Sequence, residues 1–310
     1  MTHRLTWADL PSAVRSRIEG LLGGPVVTTR SCAGGFSPST AEVVTTADGA
    51  SLFVKAVRDA DNPGSVALNR REAAALARIP PSAPVPPLVA AFDHEDWFVL
   101  VTGAAPGRMP DEPWRPEQLR AVLTALDQLQ ATTTPCPVPG LPTALECLGP
   151  DLRGFDRIAA DPPADLDPWY AARLPALREA SERGIDALAG DTLCHADVRS
   201  DNMIVDADGA VAFVDWAYAS VGSRTADALQ LLASVDDPSG ALGVDGAVDA
   251  LMAAHDLDPS VATDVLTGIL GFFVDAARLE STLPGLTAYR TARRDSLASL
   301  VRRRWEREGR

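Results

Sequence analysis

Apolar positions along the first hundred residues change period several times, and each change marks an element. Leu10, Val14, Ile18 and Leu22 recur at helical spacing and predict a helix over about residues 7–22. Strand-like runs follow at about 25–32, 41–47 and 51–57. The last two are joined through Asp48-Gly49, a dipeptide suited to a tight hairpin turn. The helical period returns between Ser65 and Ile79, with Leu68, Glu72, Ala75, Leu76 and Ile79 on one face. Trp97 to Val101 reads as another strand, ending at Thr102-Gly103. Two proline-rich stretches, Pro80–Pro87 and Thr132–Pro142, cannot continue a helix or a central strand and read as connections.

Everything beyond Gly103 is mainly helical in pattern, except Met203 to Trp216, which reads as a hairpin turning at Asp208-Gly209. No internal repeat is visible. The pattern predicts an α+β, bilobal chain: a small β-rich N-terminal lobe over 1–101, a hinge at 102–106 and a larger, mainly helical lobe over 107–310. The final basic segment reads as a solvated closing helix.

Composition narrows the picture. The net charge of −14 over 310 residues disfavours nucleic acid and anionic membrane as partners; it would favour a cationic small-molecule substrate, although general solubility is the simpler explanation. The charge-free stretch Val265 to Val274 is ten residues, too few to span a bilayer. The N-terminus lacks the apolar core of a secretory signal. Four scattered cysteines (Cys32, Cys136, Cys147, Cys194) form no CxxC pair, which points to a reducing, cytoplasmic setting.

The chemistry concentrates between Leu193 and Trp216, in the order His195, Asp197, Asn202, Asp215. A tight loop ahead of a hairpin can hold Asp197 and Asn202 toward one point. Along the second hairpin strand Val211, Phe213 and Asp215 alternate onto one face, so Asp215 is expected at the strand end beside Asn202. A carboxylate and an amide oxygen are the hard ligands Mg²⁺ prefers. A further carboxylate, Asp197, can take a proton from a hydroxyl nucleophile. His195 reads as a buried brace for the loop. In the N-terminal half, Lys55 shares a strand face with Phe53 and Val57, where burial is costly without an anion. It is either a guard on an edge strand or the partner of Glu72, which interrupts an apolar helix stripe. Between the first two strands Gly34 and Gly35 allow close backbone approach to phosphate, with Ser37 as a donor; Pro38 removes one backbone donor.

These segments resemble the aminoglycoside phosphotransferase and choline kinase-like families, which share the protein-kinase-like fold. His195 to Asn202 is similar to their catalytic loop and Asp215-Trp216 to their metal-binding Asp and following aromatic. The resemblance implies an ATP-dependent, Mg²⁺-requiring small-molecule kinase with Asp197 as catalytic base and Asn202 and Asp215 as metal ligands. It further implies Lys55 on the α- and β-phosphates, paired with Glu72, and the 31–40 segment as phosphate loop. Backbone groups near Val101 to Gly103 are expected at the adenine edge. Asp227 is similar to the buried Asp that supports the catalytic loop, or else it is an exposed helix-start carboxylate. The acceptor is left open: an aminoglycoside or other antibiotic, or a sugar, nucleoside or amino alcohol. Asp275, Glu280 and Asp237 are candidates for meeting substrate amines but read more simply as surface carboxylates, and Phe272 and Phe273 as core. Asp-Trp-Ala in place of Asp-Phe-Gly argues against a protein kinase. A non-catalytic nucleotide-binding protein is the alternative from another class. The four histidines lack metal-ligand spacing, which disfavours a metallohydrolase.

Overall fold

The computed structural model describes residues 5–32, 39–281 and 285–310. The chain divides into two compact units. The first contains Met1–Pro110, Ala131–Thr133 and Ser200–Ala219; the second contains Asp111–Gln130, Thr134–Arg199 and Ser220–Arg310. The hairpin over residues 203–213 therefore groups with the first unit, although it lies in the helical half of the sequence.

In the first unit a short 3-10 turn, Trp7–Asp9, precedes helix α1 (Ser12–Leu22). Pro11 separates the two, which is why the predicted helix over 7–22 is interrupted. Five strands form one antiparallel sheet in the order β1-β2-β3-β5-β4: β1 (Val26–Ser31), β2 (Thr40–Thr46), β3 (Ser51–Arg58), β4 (Leu88–His94) and β5 (Trp97–Gly103). One sheet face carries Val44, Leu52, Val54, Ala56, Val99 and Val101, closed by Leu10 and by Val14 and Ile18 of α1. Because side chains alternate, Lys55 lies on the other face, opposite Ala41 in β2 and Leu100 in β5. Strand β4 escapes the sequence reading. It is an edge strand, mostly partly or fully exposed, whose short apolar run Leu88–Phe92 follows directly on the proline-rich stretch.

Helix α2 (Pro63–Leu76) is capped by the Asn62 side chain, which accepts from Ser65 N–H at 2.9 Å. Its buried stripe is Ser65, Val66, Asn69, Glu72, Ala73, Ala75 and Leu76. Asn69 thus occupies the inner position expected for Leu68, which is only half-buried. The hairpin β7 (Met203–Val205) and β8 (Val211–Phe213) completes the unit. Arg108 and Val205 exchange backbone hydrogen bonds at 3.0 and 2.8 Å, joining the segment after β5 to this hairpin. Gly107 makes that approach possible: its φ is +107°, and a Cβ there would lie 2.2 Å from Val205 O.

The second unit holds helices α3 (Pro116–Thr132, apart from its last two residues), α4 (Ala144–Leu152), α5 (Gly154–Ala160), α6 (Pro168–Asp186), α7 (Ala226–Ser234), α8 (Val244–Ala254), α9 (Pro259–Ala277) and α10 (Leu286–Arg307). Strands β6 (Thr192–Cys194) and β9 (Ser220–Gly222) pair antiparallel. The ten-residue charge-free stretch is the middle of α9, a 19-residue helix long and apolar enough by composition to cross a membrane. Most of α9 is buried, and it packs on α5, α6 and α10. The basic α10 is more than a solvated face. Arg304 is fully buried and binds Asp245 and Asp249 at 2.6 and 2.9 Å. The four cysteines are free thiols.

Candidate active site

In the first unit, strand β3, helix α2 and the turn after β8 bring three charged side chains together. Lys55 Nζ lies 2.7 Å from Glu72 Oε2 and 3.0 Å from Asp215 Oδ1. The Lys55 side chain is 13% exposed and that of Glu72 4%, so the pair is held largely out of water; Asp215 is 40% exposed and open to a ligand. Burial pushes the Lys55 ammonium toward its neutral form, and Glu72 and Asp215 more than reverse this, so its pKa lies above the ordinary lysine value. Glu72 also accepts the backbone N–H of Trp216, which ties α2 to the turn carrying Asp215. Lys55 is the only lysine in the chain; the other 27 of the 28 lysines and arginines are arginine. An ammonium, a compact charge with three donors, suits a position between two carboxylates better than a planar guanidinium does.

Asp215 reaches its place by a different route from the one its spacing suggested. Strand β8 ends at Phe213, so alternation does not orient the side chain. Asp215 takes a left-handed backbone conformation, φ 66° and ψ 65°, and heads a 3-10 turn over Trp216–Tyr218. Trp216 is buried beneath it, its indole N–H donating to Phe213 O at 3.1 Å. Asn202 stands across the open end of the hairpin, where its carbonyl accepts Val214 N–H at 2.9 Å. Asn202 and Asp215 thus flank one end of the hairpin and offer an amide and a carboxylate oxygen, a donor set that fits Mg²⁺. Among the described residues no cluster of three or more His, Cys, Asp and Glu side chains could hold a metal, so further oxygens would come from phosphate and water.

In the second unit the segment His195–Arg199 is fixed from below by the first turn of α7. Asp227 is buried there. Its Oδ2 accepts His195 N–H at 2.7 Å and its Oδ1 accepts Ala196 N–H at 3.0 Å. Burial raises the Asp227 carboxyl pKa, while His195 and the two backbone donors oppose the rise. His195 is fully buried, and its Nδ1 accepts Asp197 N–H at 3.3 Å, so it braces the loop through its ring. Ala196 has φ 61°, a strained conformation for a residue with a Cβ. Asp197 itself is partly exposed. Arg199, which sequence reasoning passed over, brings Nε to 3.7 Å from Asp197 Oδ1. Its signal was its place two residues on in the same loop.

Other expected residues lie elsewhere. Gly34, Gly35, Ser37 and Pro38 lie outside the described residues. Val101 is paired to both β3 and β4, and Gly103 N–H donates to Pro87 O at 2.9 Å. Two of the three carboxylates considered for substrate amines are not the surface groups they resembled. Asp275 is buried and paired with Arg157 and Arg278 at 2.5 and 2.8 Å. Asp237 is buried and accepts the N–H groups of Leu242 and Val244. Glu280 is exposed. Phe272 and Phe273 are half-buried and edge-stacked, ring centroids 5.0 Å apart.

The model of the phosphotransferase enzyme family matches residues 28–262. No curated protein sequence matches the chain. Three solved structures align over nearly its whole length. An aminoglycoside phosphotransferase from Alicyclobacillus acidocaldarius is 17% identical, with 91% of this chain and 93% of that chain covered and a TM-score of 0.58. A choline kinase from Streptococcus pneumoniae is 15% identical, with coverages of 94% and 98% and a TM-score of 0.58. A spectinomycin phosphotransferase, solved with ADP and spectinomycin, is 12% identical, with coverages of 93% and 96% and a TM-score of 0.58. At these identities the likeness is one of fold: α+β, bilobal and protein-kinase-like.

Proposed function

The chain belongs to the phosphotransferase enzyme family, and on that premise we propose that it is an ATP-dependent kinase moving the γ-phosphoryl group to a hydroxyl of a small molecule. Phosphoryl transfer to a hydroxyl acceptor follows from family membership. The nucleotide, the acceptor and the residue roles are our reading. The observation that carries it is the Lys55–Glu72–Asp215 cluster, in which the one lysine of the chain is held between two carboxylates.

Lys55 Nζ binds the α- and β-phosphate oxygens, oriented by Glu72. Asn202 and Asp215 hold Mg²⁺, which when bound supplies neutralising charge to the phosphate oxygens. Asp197 accepts a hydrogen bond from the acceptor hydroxyl, orients its oxygen and takes its proton. Arg199, with Nε 3.7 Å from Asp197 Oδ1, flanks the carboxylate. Because Val101 and Gly103 N–H are engaged within the sheet, backbone groups of the coil at 104–107 are the better candidates for the adenine edge. This assigns 1–101 to nucleotide binding, 102–106 to a hinge and most of 107–310 to the acceptor, with the 200–219 hairpin serving the nucleotide side.

For the acceptor we favour an aminoglycoside or other hydroxyl-bearing antibiotic, which would make the protein a cytoplasmic resistance enzyme. The spectinomycin phosphotransferase solved with ADP supports both that class and the nucleotide. A metabolic acceptor such as an amino alcohol is the second reading, favoured by the equal TM-score of a choline kinase. The test is ADP release from Mg·ATP across aminoglycosides, peptide and nucleoside antibiotics, amino sugars and choline-like alcohols, with Asp197→Ala alongside. Turnover that depends on Asp197 with one acceptor class identifies the reaction and the substrate together. Equal turnover in both proteins refutes the assignment of Asp197.

A further inference from the structure

Helix α7 touches the catalytic loop at two points one turn apart. Asp227, in its first turn, holds the N–H groups of His195 and Ala196. Gln230, three residues on and therefore on the same face, directs Nε2 at Ala196 O, 3.5 Å away. The peptide groups on both sides of Ala196 are thus gripped by one helix face. Ala196 is the residue with φ 61°, and Asp197 follows it directly.

The second half of the Gln230 amide is unusual. Oε1 is buried and has no hydrogen-bond partner among the described residues. Turning the amide over would not help, because it would set Oε1 against Ala196 O, acceptor against acceptor. Gln230 as a whole is half-buried, and an apolar side chain of similar size in its place would carry no orphaned acceptor. A buried amide oxygen left without a donor costs stability. Its one bond goes to the strained residue before the proposed base.

We propose that Gln230 is a positioning residue for Asp197, holding the Ala196 carbonyl so that the left-handed turn, and with it the Asp197 carboxylate, stays in one orientation. The proposal rests on the role given to Asp197 above. It separates this residue from Asp227, whose two short hydrogen bonds serve stability as well as orientation.

The test replaces Gln230 with methionine, similar in size and unable to donate, and with glutamate, which when ionised cannot donate to Ala196 O. Hydrogen exchange of the 195–199 amides and the melting temperature are measured on wild type and both variants. The expected result is faster exchange across 195–199, with a melting temperature for Gln230→Met equal to or above wild type. With an acceptor in hand, kcat falls about tenfold, while KM for Mg·ATP stays within about twofold. Unchanged exchange, unchanged kcat, or a melting temperature that falls in Gln230→Met would each overturn it. Should wild type and Asp197→Ala both be silent on every acceptor, the kinase reading fails on its own, and exchange and melting still decide the role of Gln230.

Discussion

Lys55 Nζ sits 3.0 Å from Asp215 Oδ1, so the side chain assigned to the nucleotide phosphates is tied directly to the one assigned to the metal. Replacing Lys55 with methionine leaves Glu72 buried without its cation and should cost about 3 kcal/mol of stability. Mg·ATP affinity should drop at least about tenfold, read by titration calorimetry. Lys55→Arg should rescue little of that affinity, since a planar fork cannot occupy the same gap between Glu72 and Asp215. Wild-type affinity in the arginine variant would argue that only charge matters there.

The raised pKa of Lys55 has a definite pH signature. The charged lysine contributes stability that is fully present below the ordinary value of 10.5 and is lost as pH rises through the higher folded-state value. Between about pH 9 and about pH 12, wild type should therefore lose more unfolding free energy than Lys55→Met. Denaturant unfolding at both pH values checks this. With no other lysine in the chain, no second lysine ammonium blurs the comparison. Equal losses in the two proteins would mean that the ion pairs add nothing net.

Asp227→Asn removes a buried acceptor that serves two N–H groups at once. The new amide can accept from only one of them, and its NH₂ then faces the other. We expect a loss of about 2 kcal/mol and a fall in kcat of about tenfold or more through the loop it supports. KM for Mg·ATP should hardly move, because the residues proposed to meet the nucleotide and its metal are Lys55 and Asp215. A variant with wild-type kcat would show that the loop keeps its shape without this clamp.

Ala196 gives a test in the opposite direction. Its φ of 61° suits glycine, so Ala196→Gly should be neutral or stabilising by up to about 1 kcal/mol, with activity retained. Ala196→Val adds a branched side chain to the same conformation and should destabilise by about 2 kcal/mol or more. Thermal melts of the two variants decide it; the reverse order would mean that the turn is not strained.

Much of the site was legible because its chemistry conflicts with its surroundings. A lysine inside an apolar strand and a glutamate inside an apolar helix stripe each need a partner, and the two meet at 2.7 Å. The loop from His195 to Asn202 could be read from its polar residues at fixed spacing, set ahead of a hairpin. What stayed hidden depends on tertiary contact or on backbone conformation. The left-handed turn at Asp215 replaces the strand alternation that its spacing suggested. The burial of Asp275 and Asp237 is made possible by arginines and N–H groups that the local sequence pattern does not reveal, so they look like surface acids. Arg199 and Gln230 matter only through what lies beside them. Edge strand β4 was missed because its short apolar run, Leu88–Phe92, follows directly on the proline-rich stretch that reads as a connection.

The solitary lysine also has a practical consequence. Apart from the chain's own N-terminus, the protein carries a single primary amine, and it stands at the proposed phosphate-binding position. Lysine enriched in ¹⁵N at its side-chain nitrogen would give one resonance for the whole molecule, reporting nucleotide, metal and pH at the site with no assignment problem. An amine-directed affinity label shaped like a nucleotide has only one side chain to modify, and protection by ATP would read occupancy of the site directly.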